Sequence, residues 1–545
     1  MFKRGNCFRI LMSDKQPIYI MPESTERTVG RDAQRNNILA AKLVSDAVKT
    51  TLGPKGMDKM LVDSVGDITV TNDGVTILDK MDIEHPAAKM MVEISKTQEA
   101  EVGDGTTTAV MLAGRLLENA EKLLDMKIHP TIITKGYNIA AEKSMEFLQE
   151  LSFDFEHNDE ILKNVVRTAM TGKGAETFRD NFSDIIVSAV KQISENGKVE
   201  LGNIKIVKNK SNGVKDTKLI KGLIIDKDRT SVDMPTKVEK PKILLFSEAL
   251  EVKTPEDTKI SVNNSSQLQE FVDREEKVLR GMVDIIKASG TNVIFCQKGI
   301  DDIVQYYLAT EGIYACRRVA KSDIENLARA TGGKIVSNLH DLTDGDLGSA
   351  EVVEEYAHGD DKMTYVSGCP DPKALSILIH GGSDHVMDEM ERALKDGLGD
   401  VATVVRDGRI VPGAGAIEME LSKRLREFAH SLSGREQLAV KEFADALEYI
   451  PLTLAENGGL DPIDVLTELK ARHDNGEVNV GINITNNKVE DSLKAGIIEP
   501  LKIKTQAIGS SVEVATMILR IDDVLASKSS SNQMGSGAGM GGGYE

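Results

Sequence analysis

Apolar positions along this chain recur in three styles. From about residue 30 to 155 the spacing is helical. Ile38, Leu39, Ala41, Leu43, Val44, Ala47 and Val48 make one stripe within Ala33 to Leu52, which stops at Gly53-Pro54, a standard helix-ending pair. Val110 to Leu124 repeats the pattern with Met111, Ala113, Leu116, Leu117, Ala120, Leu123 and Leu124.

The middle alternates. Ile243–Phe246 and Val293–Cys296 read as short buried strands, as do Ile313–Cys316 and Lys334–Val336. Helical patterns lie among them at Asp301–Thr310 and Ser322–Ala330. Strands alternating with helices predict a largely parallel sheet. Between the first two strands, Ser265–Ala288 sets Leu268, Phe271, Val272, Leu279, Met282 and Ile286 among charged residues. Periodicity alone makes it an ordinary core-facing helix. From about residue 416 helices return at Leu421–Phe428, Leu438–Leu447 and Pro462–Leu469. A Ser/Gly/Met tail from Ser527 is too poor in apolar surface to order itself.

Composition narrows the function. A length of 545 residues predicts roughly three or four domains' worth of chain. Tryptophan is absent and aromatics are 4%, so aliphatic side chains and methionine must fill the cores. A formal net charge of −19 repels phosphate backbones, which argues against nucleic acid as a main partner. Cys7, Cys296, Cys316 and Cys369 form no C-x-x-C pair, so neither a zinc knuckle nor a redox motif is indicated. Scattered cysteines suit a reducing cytoplasm. No apolar run approaches the roughly 20 residues that span a bilayer, so no membrane partner is expected. The basic opening Met1–Leu11 lacks an adequate apolar region for a signal peptide, and Met12 is a second candidate start.

The strongest local signal is Gly103-Asp104-Gly105-Thr106-Thr107-Thr108, which leads straight into a predicted helix. Glycines let backbone N–H groups crowd toward an anion, and a helix N-terminus adds unpaired donors and partial positive charge. Asp104 supplies a hard oxygen suited to Mg²⁺ beside phosphates. Plain N-capping needs only one such residue, so the run favours phosphate. Other segments say less alone. Leu52-Gly53-Pro54-Lys55-Gly56 could be a helix end, and Asn72-Asp73-Gly74 reads as a tight hairpin turn between strands. Thr171-Gly172-Lys173-Gly174 could be a solvated loop. P-loop, H-E-x-x-H and G-x-S-x-G signatures are absent. A G-x-G-x-x-G match at Gly537, Gly539 and Gly542 follows no strand and opens no helix.

Taken in order, these segments resemble the group II chaperonins, the thermosome family. The resemblance runs through Gly53–Asp58, Asn72–Leu78, Gly103–Thr108, Cys296–Asp302, Gly434–Ala439 and Leu519–Asp523, and covers roughly Gly30 to Ser527. It implies a multidomain α+β and α/β subunit. A mainly helical equatorial domain would take residues 1–156 and 413–526, and a small intermediate domain 157–228 and 379–412. An α/β apical domain would span 229–378, with a helical lid protrusion at about 255–288, and the tail would be 527–545. In this reading Ser265–Ala288 becomes lid in its first half, with core packing beyond Leu279.

The resemblance also implies roles. ATP would be held by Leu52, Gly53, Pro54, Gly105, Thr106, Thr107, Thr108, Thr171, Gly172, Lys173, Gly413, Gly415 and Glu499, the last near the sugar. Asp104 would bind Mg²⁺. Asp73 and Asp396 would be the catalytic carboxylates, with Asp396 orienting the attacking water. Where the family usually carries three glycines this chain has Gly413-Ala414-Gly415, so a positive φ at Ala414 would strain the turn. The implied activity is ATP-driven folding of non-native polypeptides inside a double ring of identical or paralogous subunits. A non-hydrolysing ring scaffold or holdase and a monomeric ATPase of small-molecule metabolism are the competing readings.

Overall fold

The computed structural model describes residues 25–527 apart from 64, 156–157, 175–177, 196, 211–212, 253–264 and 359–360. The expectations for the opening segment, for the tail beyond Ser527 and for the first part of the lid protrusion lie outside the described residues.

A strand at Thr25–Val29 leads into α1 (Gly30–Lys49), then a hairpin of Lys59–Val62 with Ile68–Thr71. Next come α2 (Gly74–Lys80), α3 (Pro86–Glu101), α4 (Thr106–Asp125) and α5 (Pro130–Leu151). A second region begins with α6 (Asp159–Met170) and α7 (Arg179–Ile193), and a third, built on sheets, contains α8 (Ser265–Ala288), α9 (Asp302–Thr310) and α10 (Lys321–Thr331). The long α11 (Asp384–Asp407) leads back to α12 (Ala416–Ala429), α13 (Glu436–Leu447), α14 (Tyr449–Gly458), α15 (Pro462–Asp474) and α16 (Leu501–Leu519).

Both ends of the described chain share one hydrophobic core. It joins Ile38, Val44, Met91 and Leu116 from the first part to Val440, Phe443, Ile508 and Val512 from the last. α4 runs through its middle, burying a wide apolar face that includes Val110, Leu112, Leu116, Leu117 and Ala120, while Arg115, Glu118, Lys122 and Asp125 share the opposite side, the pattern of an amphipathic helix. Several polar groups inside are paired, although Asn37 Nδ2, Ser95 Oγ and Thr453 Oγ1 are buried without a hydrogen-bond partner. Ser511 Oγ donates to Ala109 O at 2.7 Å, Asn119 Nδ2 to Glu442 O at 2.9 Å and Tyr137 OH to Leu116 O at 2.7 Å.

Outside the core, Thr25–Val29 pairs antiparallel with Asp523–Ser527, with Arg27 bridged to Asp523 at 2.6 Å. Ser527, expected to begin the tail, is therefore opposite Thr25 in a ladder. A strand end needs only its backbone to pair, so low side-chain hydrophobicity gave no warning.

Two further expectations change. Leu39 and Leu43 are 56% and 61% exposed, whereas Ile38, Ala41, Val44 and Val48 turn inward. The stripe is wider than the face that packs. Asn72-Asp73-Gly74 is not a turn between strands. Asp73 caps α2, its Oδ2 accepting from Thr76 N at 2.9 Å and Thr76 Oγ1 at 2.6 Å. An aspartate three residues before a helical threonine is a capping signal, and it prevails over the hairpin reading.

In the third region the strands Tyr314–Cys316, Val293–Cys296, Lys242–Phe246 and Ile335–Val336 lie side by side and parallel, as expected. Ile243, Leu245, Val293 and Phe295 face one core with α10, while Leu244, Phe246, Ile294 and Cys296 face another with α8 and α9. That period of two, buried on both faces, explains the continuous apolar runs. In α8 the last turns bury Leu279, Val283 and Ile286, and the earlier Phe271, Val272 and Val278 are exposed. The second region is crossed twice by the chain. Ile204–Lys210 pairs parallel with Leu375–Gly381, and α6, α7 and α11 pack together beside it.

Tyr137→Phe keeps the ring near Phe443, 5.9 Å away centre to centre, and loses only the bond to Leu116 O. It should cost about 1 kcal/mol, against about 3–5 kcal/mol for Tyr137→Ala. Denaturant midpoints of the two variants measure the difference.

Candidate functional site

Loops from widely separated stretches of chain converge on a cavity of about 390 Å³, within the range of small-molecule sites. Its walls include Leu52, Gly53 and Pro54 after α1, Asp73 at the start of α2, and Asp104 to Thr108 entering α4. Thr171, Gly172 and Lys173 follow α6, and Gly415 and Glu499 close the far side. Most of the residues singled out in the sequence therefore line one space. Two do not. Gly413 sits behind Glu499, where an added Cβ would lie 2.5 Å from Glu499 Oε1. Asp396 lines an adjoining cleft and reaches the cavity through Lys173.

The backbone chemistry at α4 suits an anion. Gly105, at φ +80°, is the N-cap and offers no side chain to its own helix, so the first N–H groups keep their donor capacity. The turn after α6 packs backbone on backbone. Gly172 has φ +84°, and a Cβ there would come 2.6 Å from Gly53 O. Asn72 Nδ2 donates to Gly172 O at 2.7 Å, tying the loop before α2 to the same turn.

Charge is concentrated on one side. The Lys173 ammonium bonds to Asp396 and lies 3.5 Å from Asp104. Burial opposes its charge, but Asp104 and Asp396 outweigh that and raise its pKa. Burial pushes the Asp396 carboxyl up to about 7 despite Lys173, with Asp104 adding to the rise. Asp400, one turn further along α11, is 2% exposed, and its Oδ1 has no hydrogen-bond partner. Burial, with Asp104 second, lifts its pKa well above the carboxylate range.

This acidic excess around a single ammonium is chemistry that accepts a hard divalent cation. Among the described residues no three His, Cys, Asp or Glu side chains form a closed metal cage. Mg²⁺ needs none, because it takes one or two carboxylates and completes its shell with waters and phosphate oxygens. The donor set fits.

The far wall carries the departure noted in the sequence. Ala414 has φ +60°, a left-handed conformation that costs a residue with Cβ. Its carbonyl accepts from Ile482 N at 2.9 Å, which fixes the turn against the strand Val480–Asn483. Several wall residues were not singled out in advance, among them Asn164, Arg167, Asp400, Asn483 and Lys504. Asp400 follows Asp396 at helical i+4 spacing, a signal that was available. Asn483 and Lys504 carried none without the fold.

Folded Asp396 holds its proton more tightly than an unfolded aspartate of pKa about 4. Its contribution therefore favours the fold at low pH and is lost as pH rises from about 4 towards about 7. Without nucleotide, the denaturation midpoint of the wild type should fall relative to that of Asp396→Asn across that window; parallel curves would contradict this. Ala414→Gly should stabilise the protein by roughly 0.5–1 kcal/mol, read from urea midpoints.

Residues 44–529 match the TCP-1/cpn60 chaperonin family. The chain is 55% identical over 525 residues to a thermosome subunit of Methanopyrus kandleri, covering 95% of this chain and 96% of that one. It is 55% identical over 533 residues to thermosome subunit beta of Archaeoglobus fulgidus, covering 97% and 98%. Against thermosome subunit alpha of Thermoplasma acidophilum the identity is 52% over 541 residues, covering 98% and 99%.

Proposed function

The chain belongs to the TCP-1/cpn60 chaperonin family, as a group II chaperonin subunit, and from that premise we propose that it hydrolyses ATP to fold other proteins inside a double ring. The observation that carries the reading is the convergence of Lys173 and Asp104, with Asp396 held behind Lys173, beside the α4 N-terminus at one cavity.

Phosphoryl transfer needs charge neutralisation and an aligned water more than covalent help. The backbone N–H groups of Gly105 to Thr108 and the threonine hydroxyls hold the phosphates, with Leu52, Gly53 and Pro54 across the cavity. When bound, Mg²⁺ neutralises phosphate charge, and Asp104 is the residue that holds it. Lys173 donates to the terminal phosphate, beside Thr171 and Gly172. Asp396 orients the attacking water and Asp73 is the second carboxylate. Gly413 and Gly415 shape the turn at the nucleotide, and Glu499 meets its sugar.

The carriers of these groups belong to different packed regions. Residues 1–156 and 413–526 form the equatorial domain, 157–228 and 379–412 the intermediate domain and 229–378 the apical domain. Lys173 and Asp396 both come from the intermediate part. Hydrolysis then depends on how that part closes over the nucleotide, as with other lids. The built-in lid is assigned to about 255–288, of which the described part begins at Ser265. Phe271, Val272 and Val278, 37%, 44% and 51% exposed, suit contact with neighbouring lids or client chains. The subunit works in the cytoplasm on non-native polypeptides, in rings with identical or paralogous copies.

A ring scaffold that binds without hydrolysing would have no use for Asp73, Asp104 and Asp396 together. Asp396→Ala should lower turnover at least a hundredfold (roughly 2.7 kcal/mol of barrier) while ATP still binds. Undiminished phosphate release by the assembled variant would refute the role given to Asp396.

A further inference from the structure

Beyond the acidic wall, one buried ion cluster touches the cavity at its opposite end. Lys504, in the first turns of α16, places its ammonium 2.8 Å from Glu418 Oε1 on α12 and 2.5 Å from Glu499 Oε2 on the strand Ile498–Pro500. The side chains of Lys504 and Glu418 are 8% and 5% exposed, and that of Glu499 is 19%. Glu499 and Lys504 line the cavity, whereas Glu418 faces the core behind it. On its other side the Glu499 carboxylate lies against Gly413, where an added Cβ would come 2.5 Å from Glu499 Oε1.

We infer that Lys504 is a positioning residue for ribonucleotide selectivity, holding Glu499 so that its carboxylate accepts the ribose hydroxyls of the bound triphosphate. This rests on the nucleotide reading of the cavity given above.

The physical case is one of a carboxylate fixed at two points with acceptor capacity left over. An ionised carboxylate has about four lone-pair sites, and Lys504 engages Oε2. A vicinal diol offers two O–H donors, which pair best with an ionised, immobile acceptor. Burial works against that ionisation, and Lys504 is the cation that opposes it. Glu418 in turn holds the ammonium from behind, so that Lys504 cannot swing into the cavity and compete for phosphate. Two carboxylates on one ammonium leave the cluster with excess negative charge, and its more exposed member is Glu499.

The test compares steady-state ATPase of the assembled protein on ATP, 2′-deoxy-ATP and 3′-deoxy-ATP. Wild type should prefer ATP over both analogues by about tenfold in KM, the size of one charge-assisted hydrogen bond. In Lys504→Met that preference should shrink to within about twofold, the loss falling on KM more than on kcat. Because Lys504→Met strands Glu418 in the core, the double variant Lys504→Met/Glu418→Gln is measured beside it and should lose the preference in the same way. Glu418→Gln alone keeps the Lys504–Glu499 contact and should retain it. A wild type that takes the deoxy analogues as readily as ATP would overturn the inference. So would a folded double variant that still discriminates, or a Glu418→Gln protein that does not. A wild type that binds no nucleotide would instead overturn the reading of the cavity itself.

Discussion

One buried ammonium holds the cavity's chemistry together. Lys173 bonds to Asp396, 223 residues away in sequence, and lies 3.5 Å from Asp104, 69 residues away. Taking the Lys173 ammonium out of water is costly, and only close pairing offsets it. The arrangement therefore exists only while the turn after α6, the loop before α4 and the middle of α11 stay in register. Displacing one of them would leave a buried charge without its partner. The site's geometry is in that sense a report on how the packed regions sit against each other.

Close backbone contact serves the same end. The turn at Gly172 lies against Gly53, and Asn72 binds Gly172 O, so that three loops move as one surface. Ala414 adopts a left-handed conformation while its carbonyl anchors the strand Val480–Asn483. A locally unfavourable residue persists there because the surrounding contacts determine its backbone, the situation expected beside a functional turn. The Glu418–Lys504–Glu499 cluster shows the same logic in charge form, since Lys504 and Glu418 are buried, Glu499 is half-buried and each limits where the next can go.

Much of this was legible in the residues. Period-two burial of Leu244, Phe246, Ile243 and Leu245 on opposite faces gives the unbroken apolar run seen in the sequence, and the apolar stripe of α4 is the face it buries in the core. The loop Gly103 to Thr108 stood out by composition alone, and Asp104 to Thr108 line the cavity. Other features were hidden for physical reasons. Leu39 and Leu43 share the stripe of α1 but not its packed face, because periodicity gives a face's direction and not its width. Asp73 looked like part of a hairpin turn until its side chain was seen to cap α2. Lys504 and Asn483 reach the cavity from the last part of the chain, by tertiary packing that no local spacing encodes.

The most direct measurement is a crystal structure of the assembled protein with Mg²⁺ and a non-hydrolysable ATP analogue. The account predicts the triphosphate against Gly105 to Thr108 at the start of α4, with its terminal phosphate within reach of Lys173. A well-occupied analogue bound elsewhere, with that helix end contacted only by water, would contradict it.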